Sequence, residues 1–574
     1  MPTVNIDGKD YEFEGSPRLL QFCLDNGIEI PYFCYHPAMS TPTNCRMCLI
    51  ELGFHARDRA TGEFQFDEEG NPQVNWGRKP ATSCNTNLGP GMFVKTHRTS
   101  EQISKDQKGV LEYMLANHPL DCPICDQAGE CPLQIWTYKY GPEGSRFEVQ
   151  KVHKPKRIDL GPNVILDGER CINCTRCTRF TEEVSGSCQL TIVNRGDKNL
   201  PATAPGQTFD DPYSMNVIDI CPVGALTSKH HRFKARVWEM AYVPAIDMND
   251  STGTNINIWL RDNEVMRITP RKNTDINDFW MPDAHRLNVA FYNENRVSGV
   301  KMKGDVAVGF EQGIKRAAEL LKTHQGKTLF LGSAYASLES NYALKQLAAS
   351  QGVDTVYYVP HVEEGFGDGW LIQDDRTPNA AACELLEFKA LTVEELQAKL
   401  KEGATDCLYA LENTRAFAAL DQELSGLTVI AHATHEQPAY EQGVDVLLPA
   451  ALSIEGEGVY INFKGTPQVS KLARQIKQMS PEMWMQLPKS RLDKGAVSKD
   501  RWRDIDNIPD VLPSWQLIGK VGHELGQEMP KEAHKEIYAQ VQAAFPELLG
   551  DVKISYKPPK SSFKTSQLDF APRW

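Results

Sequence analysis

"HPLDCPICDQAGEC", residues 118–131, places Cys122, Cys125 and Cys131 in one turn-rich stretch behind His118. Three thiolates leave a tetrahedral site one ligand short, and His118 is the nearest side chain able to complete it. The same histidine closes a helical pattern. "SEQISKDQKGVLEYMLANHP" has Ser100 as N-cap, apolar Ile103, Val110, Leu111, Met114 and Leu115, and Pro119 to stop the helix after His118. Spacing alone leaves both readings of His118 open.

Two further cysteine stations flank this one. Upstream, Cys34, Cys45, Cys48 and Cys84 are spaced C-x10-C-x2-C-x35-C. They follow a β-hairpin, "VNIDGKDYEF" with Asp7-Gly8 at its tip, and a helix, "SPRLLQFCLDNGI" with Ser16 as cap. Hairpin, helix, cysteine loop and distant fourth Cys are the ingredients of a plant-type ferredoxin domain holding [2Fe-2S]. Ser40, Thr41, Thr43 and Asn44 are expected to donate to the sulfurs, Cys23 to be a small buried hydrophobe, and residues 53–84 to form a polar inserted hairpin or loop. Downstream, Cys171, Cys174 and Cys177 form C-x2-C-x2-C, with Cys221-Pro222 remote, which fits one [4Fe-4S] cluster. Cys188 competes as fourth ligand and reads as buried and non-ligating. Arg170, Arg176 and Arg179 read as solvated or paired with acidic neighbours, or as tuning the cluster. Structural zinc satisfies C-x2-C pairs equally well.

The chain of 574 residues is too long for one core, and a prior of about 150 residues per domain implies three or four. Of its 15 cysteines, 13 precede residue 222, so the two parts differ in chemistry. Such crowding in a reducing compartment points to metal or redox centres rather than disulfides. With 62 Lys+Arg against 75 Asp+Glu, the net charge of −13 argues against a non-specific nucleic-acid binder. No apolar run approaches the ~18–20 residues of a membrane span, and the start lacks a signal-peptide pattern, so the expected compartment is the cytosol. From about 300 onward helices and short apolar strands alternate, among them "KTLFLGS", "DCLYAL", "LTVIAHA" and "VDVLLPA". This predicts a parallel or mixed α/β sheet covered on both faces. The chain closes on a polar stretch, "SSFKTSQLDFAPRW".

Taken in order, the three stations resemble the large iron–sulfur subunit (75-kDa type) of NADH:quinone oxidoreductases, respiratory complex I, specifically over residues 1 to about 240. The resemblance implies a [2Fe-2S] cluster on Cys34, Cys45, Cys48 and Cys84. It implies two [4Fe-4S] clusters, on His118, Cys122, Cys125 and Cys131 and on Cys171, Cys174, Cys177 and Cys221. The expected fold is multidomain, α+β then α/β. A ferredoxin-like domain at 1–98 and small [4Fe-4S] domains at 99–140 and 141–240 precede a shortened molybdopterin-oxidoreductase-like α/β domain at 241–574. That last domain is similar to the family's in an N-x-x-G-x-x-Q pattern, Asn462, Gly465 and Gln468. Some members carry a further [4Fe-4S] on a C-x2-C-x3-C triplet. Here Asp247, Asp250 and Thr254 fall at the triplet positions and "FWMPDAHR", 279–286, near the fourth, and no cysteine lies between 221 and 383. That cluster cannot form, and no molybdopterin is expected.

The implied function is electron transfer without a catalytic residue of its own. Electrons pass from a flavin- and NADH-binding subunit through the clusters to quinone-side iron–sulfur subunits. The expected order is [2Fe-2S], the all-Cys [4Fe-4S], then the His-ligated one. The expected location is the cytoplasmic face of the inner membrane, reached only through the complex. The alternatives are the matching subunit of a soluble NAD-linked hydrogenase or formate dehydrogenase, and a zinc-stapled scaffold, which predicts a colourless protein.

Overall fold

Asp7 and Gly8 both adopt positive φ, 53° and 85°, the backbone of a two-residue turn whose twist matches that of its strands. In the computed structural model of the chain they join Thr3–Ile6 to Lys9–Glu12, with Ile6 opposite Lys9. Residues 1–58, 61–401, 405–412, 414–420, 424–488 and 508–556 are described; the polar stretch at 561–574 lies outside them. The chain divides into two units, Met1–Val237 and a second from Trp238 onward.

In the first unit the hairpin extends into a sheet of order Lys9–Glu12, Thr3–Ile6, Met92–Lys95, Leu49–His55, Val74–Trp76, with Ala81–Thr82 also paired to Leu49–His55. The polar insertion thus supplies two strands rather than a free loop. Helix Leu19–Asp25 buries Leu19, Leu20 and Cys23 against the sheet. Burial pushes the Cys23 thiol up to about 12, so it is an inert core group, as expected. Ser16 is not the helix cap. Arg18 occupies that position without a side-chain cap, and the Ser16 hydroxyl donates instead to the Leu88 carbonyl, tying the helix entry to the loop that follows Cys84.

The next helix, Glu101–Ala116, is capped as expected, the Ser100 hydroxyl accepting from the Ile103 N–H at 3.2 Å. It stops at Ala116, two residues before the position predicted from Pro119, because Asn117 already turns the chain. His118 is therefore outside the helix, its N–H donating to the Leu115 carbonyl.

The second unit opens with a three-stranded antiparallel sheet, Ala241–Ile246, Asn255–Arg261 and Glu264–Pro270. Its main body is an eight-stranded mixed sheet. Val446–Pro449, Thr428–Ala433, Cys407–Leu411, Thr328–Leu331, Val356–Tyr358 and Lys389–Ala390 run parallel, and Val300–Met302 and Val306–Val308 form an antiparallel edge. The central strands are buried along their whole length. Two apolar clusters account for this, one on each face: Phe330, Tyr409 and Ile430 on one side, Leu329, Leu408 and Val429 on the other. Continuous rather than alternating apolar strands are what a doubly covered sheet requires.

Candidate metal centres

At the first station Cys34, Cys48 and Cys84 are buried and Cys45 is half-buried. Their thiols form a hydrogen-bonded chain, Cys45 with Cys34, Cys34 with Cys84 and Cys84 with Cys48. Hydrogen bonds from Cys45 and Cys84, with the N–H groups of Cys45 and Asn44, hold the Cys34 thiol far below its ordinary range; the same contacts push Cys45 and Cys84 up. Thr43 and Arg46, both at φ 56°, bend the loop. Of the four polar residues expected to serve the sulfurs, Asn44 does so through its backbone. Ser40 instead gives its N–H and hydroxyl to Glu183.

At the second station a one-turn helix, Cys122–Ile124, and the helix Pro132–Tyr140, which begins just after Cys131, set the three cysteines within electrostatic reach of one another. Cys125 and Cys131 are buried and Cys122 is exposed. Burial, then the Arg170 guanidinium, pushes the His118 imidazole down to about 4, so it is neutral at pH 7 and keeps a lone pair for a metal. Arg170 also faces Cys125 and donates two bonds to Asp121, at 3.0 and 2.9 Å.

At the third station Cys171, Cys174, Cys177 and Cys221 line one cavity walled by Leu166, Val223 and Leu226. Each sulfur receives backbone N–H groups: from Asn173 to Cys171, Arg176 to Cys174, Thr178 to Cys177, and Val223, Leu226 and Ala225 to Cys221. Cys188 is exposed, not buried as its apolar neighbours implied, and its backbone takes a positive φ of 50°; it is not part of the cavity lining.

Thiolate sets served by backbone N–H donors and apolar walls fit iron–sulfur clusters. Among the described residues none of these cysteine sets closes to the mutual 4.8 Å of a group around one ion; Asp247, Asp250 and His285 do. A single zinc with ~2.3 Å Zn–S bonds needs that tighter spacing.

The stations touch. Arg176, almost fully buried, donates to the carbonyls of Ile220 and Tyr35, and Arg179 to those of Cys34 and Ser40. Both arginines are buried, and they join the third station to the first through backbone oxygens. Asn44 adds a bond to the Asn173 carbonyl at 3.2 Å. On the other side, a Cβ on Gly224 would meet the Cys125 sulfur at 2.1 Å, and the Cys131 thiol lies 3.8 Å from the Pro222 carbonyl. The third station thus contacts both others, a relationship that sequence spacing did not carry.

Asn462 and Gln468 form a clamp, Asn462 donating to the Thr252 carbonyl at 3.2 Å and Gln468 to that of Gly253 at 3.0 Å, while the Gly465 N–H donates to the Asn462 carbonyl. Their motif therefore orders the turn holding Asp250.

Residues 1–99 match a family model described as a 2Fe-2S iron–sulfur cluster binding domain. Residues 107–146 match the NADH-ubiquinone oxidoreductase-G iron–sulfur binding region, and 161–227 the NADH-quinone oxidoreductase subunit 3, ferredoxin-like domain. Residues 240–290 match an NADH-ubiquinone oxidoreductase NDSU1/NuoG-like, 4Fe-4S domain. The chain is similar to the G-type chain of the NADH-quinone oxidoreductase of Rickettsia bellii, 37% identical over 350 residues, covering 60% of this chain and 48% of that one. It is also similar to the NADH-ubiquinone oxidoreductase 75 kDa subunit of Reclinomonas americana, 37% identical over 62% of this chain and 49% of the relative. The mitochondrial 78 kDa subunit of Neurospora crassa is 41% identical over 50% of this chain and 35% of its own. Among solved structures, an NAD+-reducing [NiFe]-hydrogenase in the H2-reduced state matches at 26% identity and TM-score 0.32, covering 41% of this chain and 91% of that one. The chain spans about half the length of the first curated relatives it matches. Through its iron–sulfur stations the chain is similar to the NuoG-type and 75 kDa subunits of NADH-quinone oxidoreductases.

Proposed function

We propose that the chain is an electron-transfer subunit of the peripheral arm of an NADH:quinone oxidoreductase, holding one [2Fe-2S] and two [4Fe-4S] clusters. Cys34 with Cys45 and Cys48 with Cys84 would each hold one iron of the first. His118, Cys122, Cys125 and Cys131 would hold the second, and Cys171, Cys174, Cys177 and Cys221 the third. When bound, the clusters supply one-electron steps over the range ~−700 to +450 mV accessible to such centres. The residues fix spacing and local charge: Arg176 and Arg179 carry buried positive charge between the first and third stations, and neutral His118 makes its set one unit less negative than an all-thiolate one.

The observation that carries this reading is the double contact of the third station, with Tyr35, Cys34 and Ser40 on one side and with Cys125 on the other. It supports the order first, third, second, with the His118 set as the exit. The proposed partners are a flavin- and NADH-binding subunit and quinone-side iron–sulfur subunits, at the cytoplasmic face of the inner membrane. Among the described residues no helix is long and apolar enough to cross a membrane, so attachment would come through the complex. The second unit would be a molybdopterin-oxidoreductase-like scaffold and docking surface. Iron and sulfide quantitation with low-temperature EPR on the purified chain tests the reading. About ten irons (2 + 4 + 4) and three reducible signals are expected; stoichiometric zinc without a signal on reduction would overturn it.

A further inference from the structure

The second unit contains a metal-ligating group apart from the cysteine stations. The turn between Ala241–Ile246 and Asn255–Arg261 carries Asp247 and Asp250, and the short helix Asp283–Leu287 brings in His285. One ligand atom from each lies within 4.8 Å of the others, and the residues are 1%, 0% and 2% exposed. His285 Nδ1 is 2.5 Å from Asp247 Oδ2 and Nε2 is 3.7 Å from Asp250 Oδ2. Beyond that close pair, which shares a hydrogen bond, His285 Nε2 makes no contact of hydrogen-bond geometry. The hydroxyl of Thr254, a fully buried residue whose carbonyl accepts the Asp247 N–H, is also without a partner. Polar atoms left in this state inside a protein are rare and costly, and two of them beside a buried carboxylate pair call for a shared occupant.

The remaining bonds hold the donors in place. Asp247 Oδ1 accepts from the Asn249 N–H and side-chain amide, and Asp250 accepts from the N–H groups of Thr252 at 3.0 Å and Gln373 at 3.1 Å. The turn is fixed from outside by Thr252 on the Leu371 carbonyl and by the Asn462 and Gln468 clamp. A rigid donor set with free lone pairs is preorganised for an ion.

Residues 240–290 match a domain described as 4Fe-4S, yet no cysteine lies between 221 and 383. A donor set without a single thiolate does not fit an iron–sulfur cluster; two carboxylates, an imidazole and a hydroxyl suit a mononuclear first-row divalent ion. We propose that Asp247, Asp250 and His285, with the Thr254 hydroxyl beside them, hold a single divalent cation of the Zn2+ or Mn2+ class. Two carboxylates and a neutral imidazole balance the ion's double positive charge among the ligands, with the Arg376 guanidinium adding one positive charge beside Asp250. The competing occupant is a proton: an imidazolium between the two carboxylates, with Arg376 at 3.8 Å from Asp250 closing the charge. None of these ligands belongs to a cysteine station, so the ion site and the iron–sulfur reading fail independently.

The test uses the full chain, stripped with a chelator, re-equilibrated with Zn2+ alone, and measured by elemental mass spectrometry and zinc-edge X-ray absorption. The expected result is about one zinc per chain with a nitrogen and oxygen shell at ~2.0–2.1 Å and no sulfur, lost in His285→Ala and in Asp250→Asn. Asp250→Asn is close to isosteric and carries the comparison if His285→Ala does not fold. A sulfur shell, which would place the ion on the cysteine stations, overturns the proposal. So does zinc no higher than in Asp250→Asn, the outcome expected of the protonated triad. Loss of all iron with the nitrogen and oxygen shell intact would sink the cluster reading and leave this one standing.

Discussion

Gly224 lies against Cys125 so closely that a single added carbon would come within 2.1 Å of the sulfur. The contact joins the segment after Cys221 to the heart of the second station. Gly224→Ala is therefore expected to displace Cys125 and to lower iron content by about four atoms, the complement of one [4Fe-4S] cluster. EPR of the reduced chain should show the His118-associated signal lost or broadened while the [2Fe-2S] signal persists. Wild-type iron content and spectra in the variant would show that the loop yields without cost.

His118 is neutral and beside Arg170, so His118→Ala would remove the proposed ligand without removing a charge. One [4Fe-4S] signal is expected to change and the other two signals to stay. Three unchanged spectra would show that His118 is not a ligand.

Arg176 is 1% exposed and bridges Ile220 and Tyr35 through their carbonyls. Arg176→Met keeps the volume but leaves both oxygens without their donor, a cost of about 3 kcal/mol. Urea unfolding of the first unit's transition measures it; a change under ~0.5 kcal/mol would show that water replaces the guanidinium.

His432 is fully buried against Tyr409, whose hydroxyl is 2.8 Å from Nε2, and burial pushes its imidazole down to about 3. A lowered folded-state value means that the unfolded chain takes up the proton first. Stability is thus full above the ordinary value of 6.5 and falls as pH drops from there toward 3. Between pH 7 and pH 5 the loss is roughly 2 kcal/mol. His432→Gln should flatten that slope in urea midpoints taken at the two pH values, and an identical slope would assign the acid sensitivity to other groups.

Much of this protein is written in neighbouring residues. The Asp7-Gly8 turn, the Ser100 cap, the continuous apolar strands and the three cysteine stations are local patterns, because turn geometry, capping and strand burial depend on residues a few positions apart. So is the lack of a cysteine between 221 and 383, which rules out a thiolate cluster in the matched 240–290 segment whatever the fold. Tertiary structure alone decided how those pieces meet. Arg176 and Arg179 read as solvated, paired with acidic neighbours or tuning the cluster; their burial against Tyr35, Cys34 and Ser40 depends on how one loop packs on another. Asp247, Asp250 and Thr254 stood at the positions of missing cysteines, but His285 reaches Asp247 and Asp250 only once a hairpin turn and a distant short helix are folded together. Local conformation is set by local chemistry, whereas these sites are built from long-range packing that no spacing along the chain encodes.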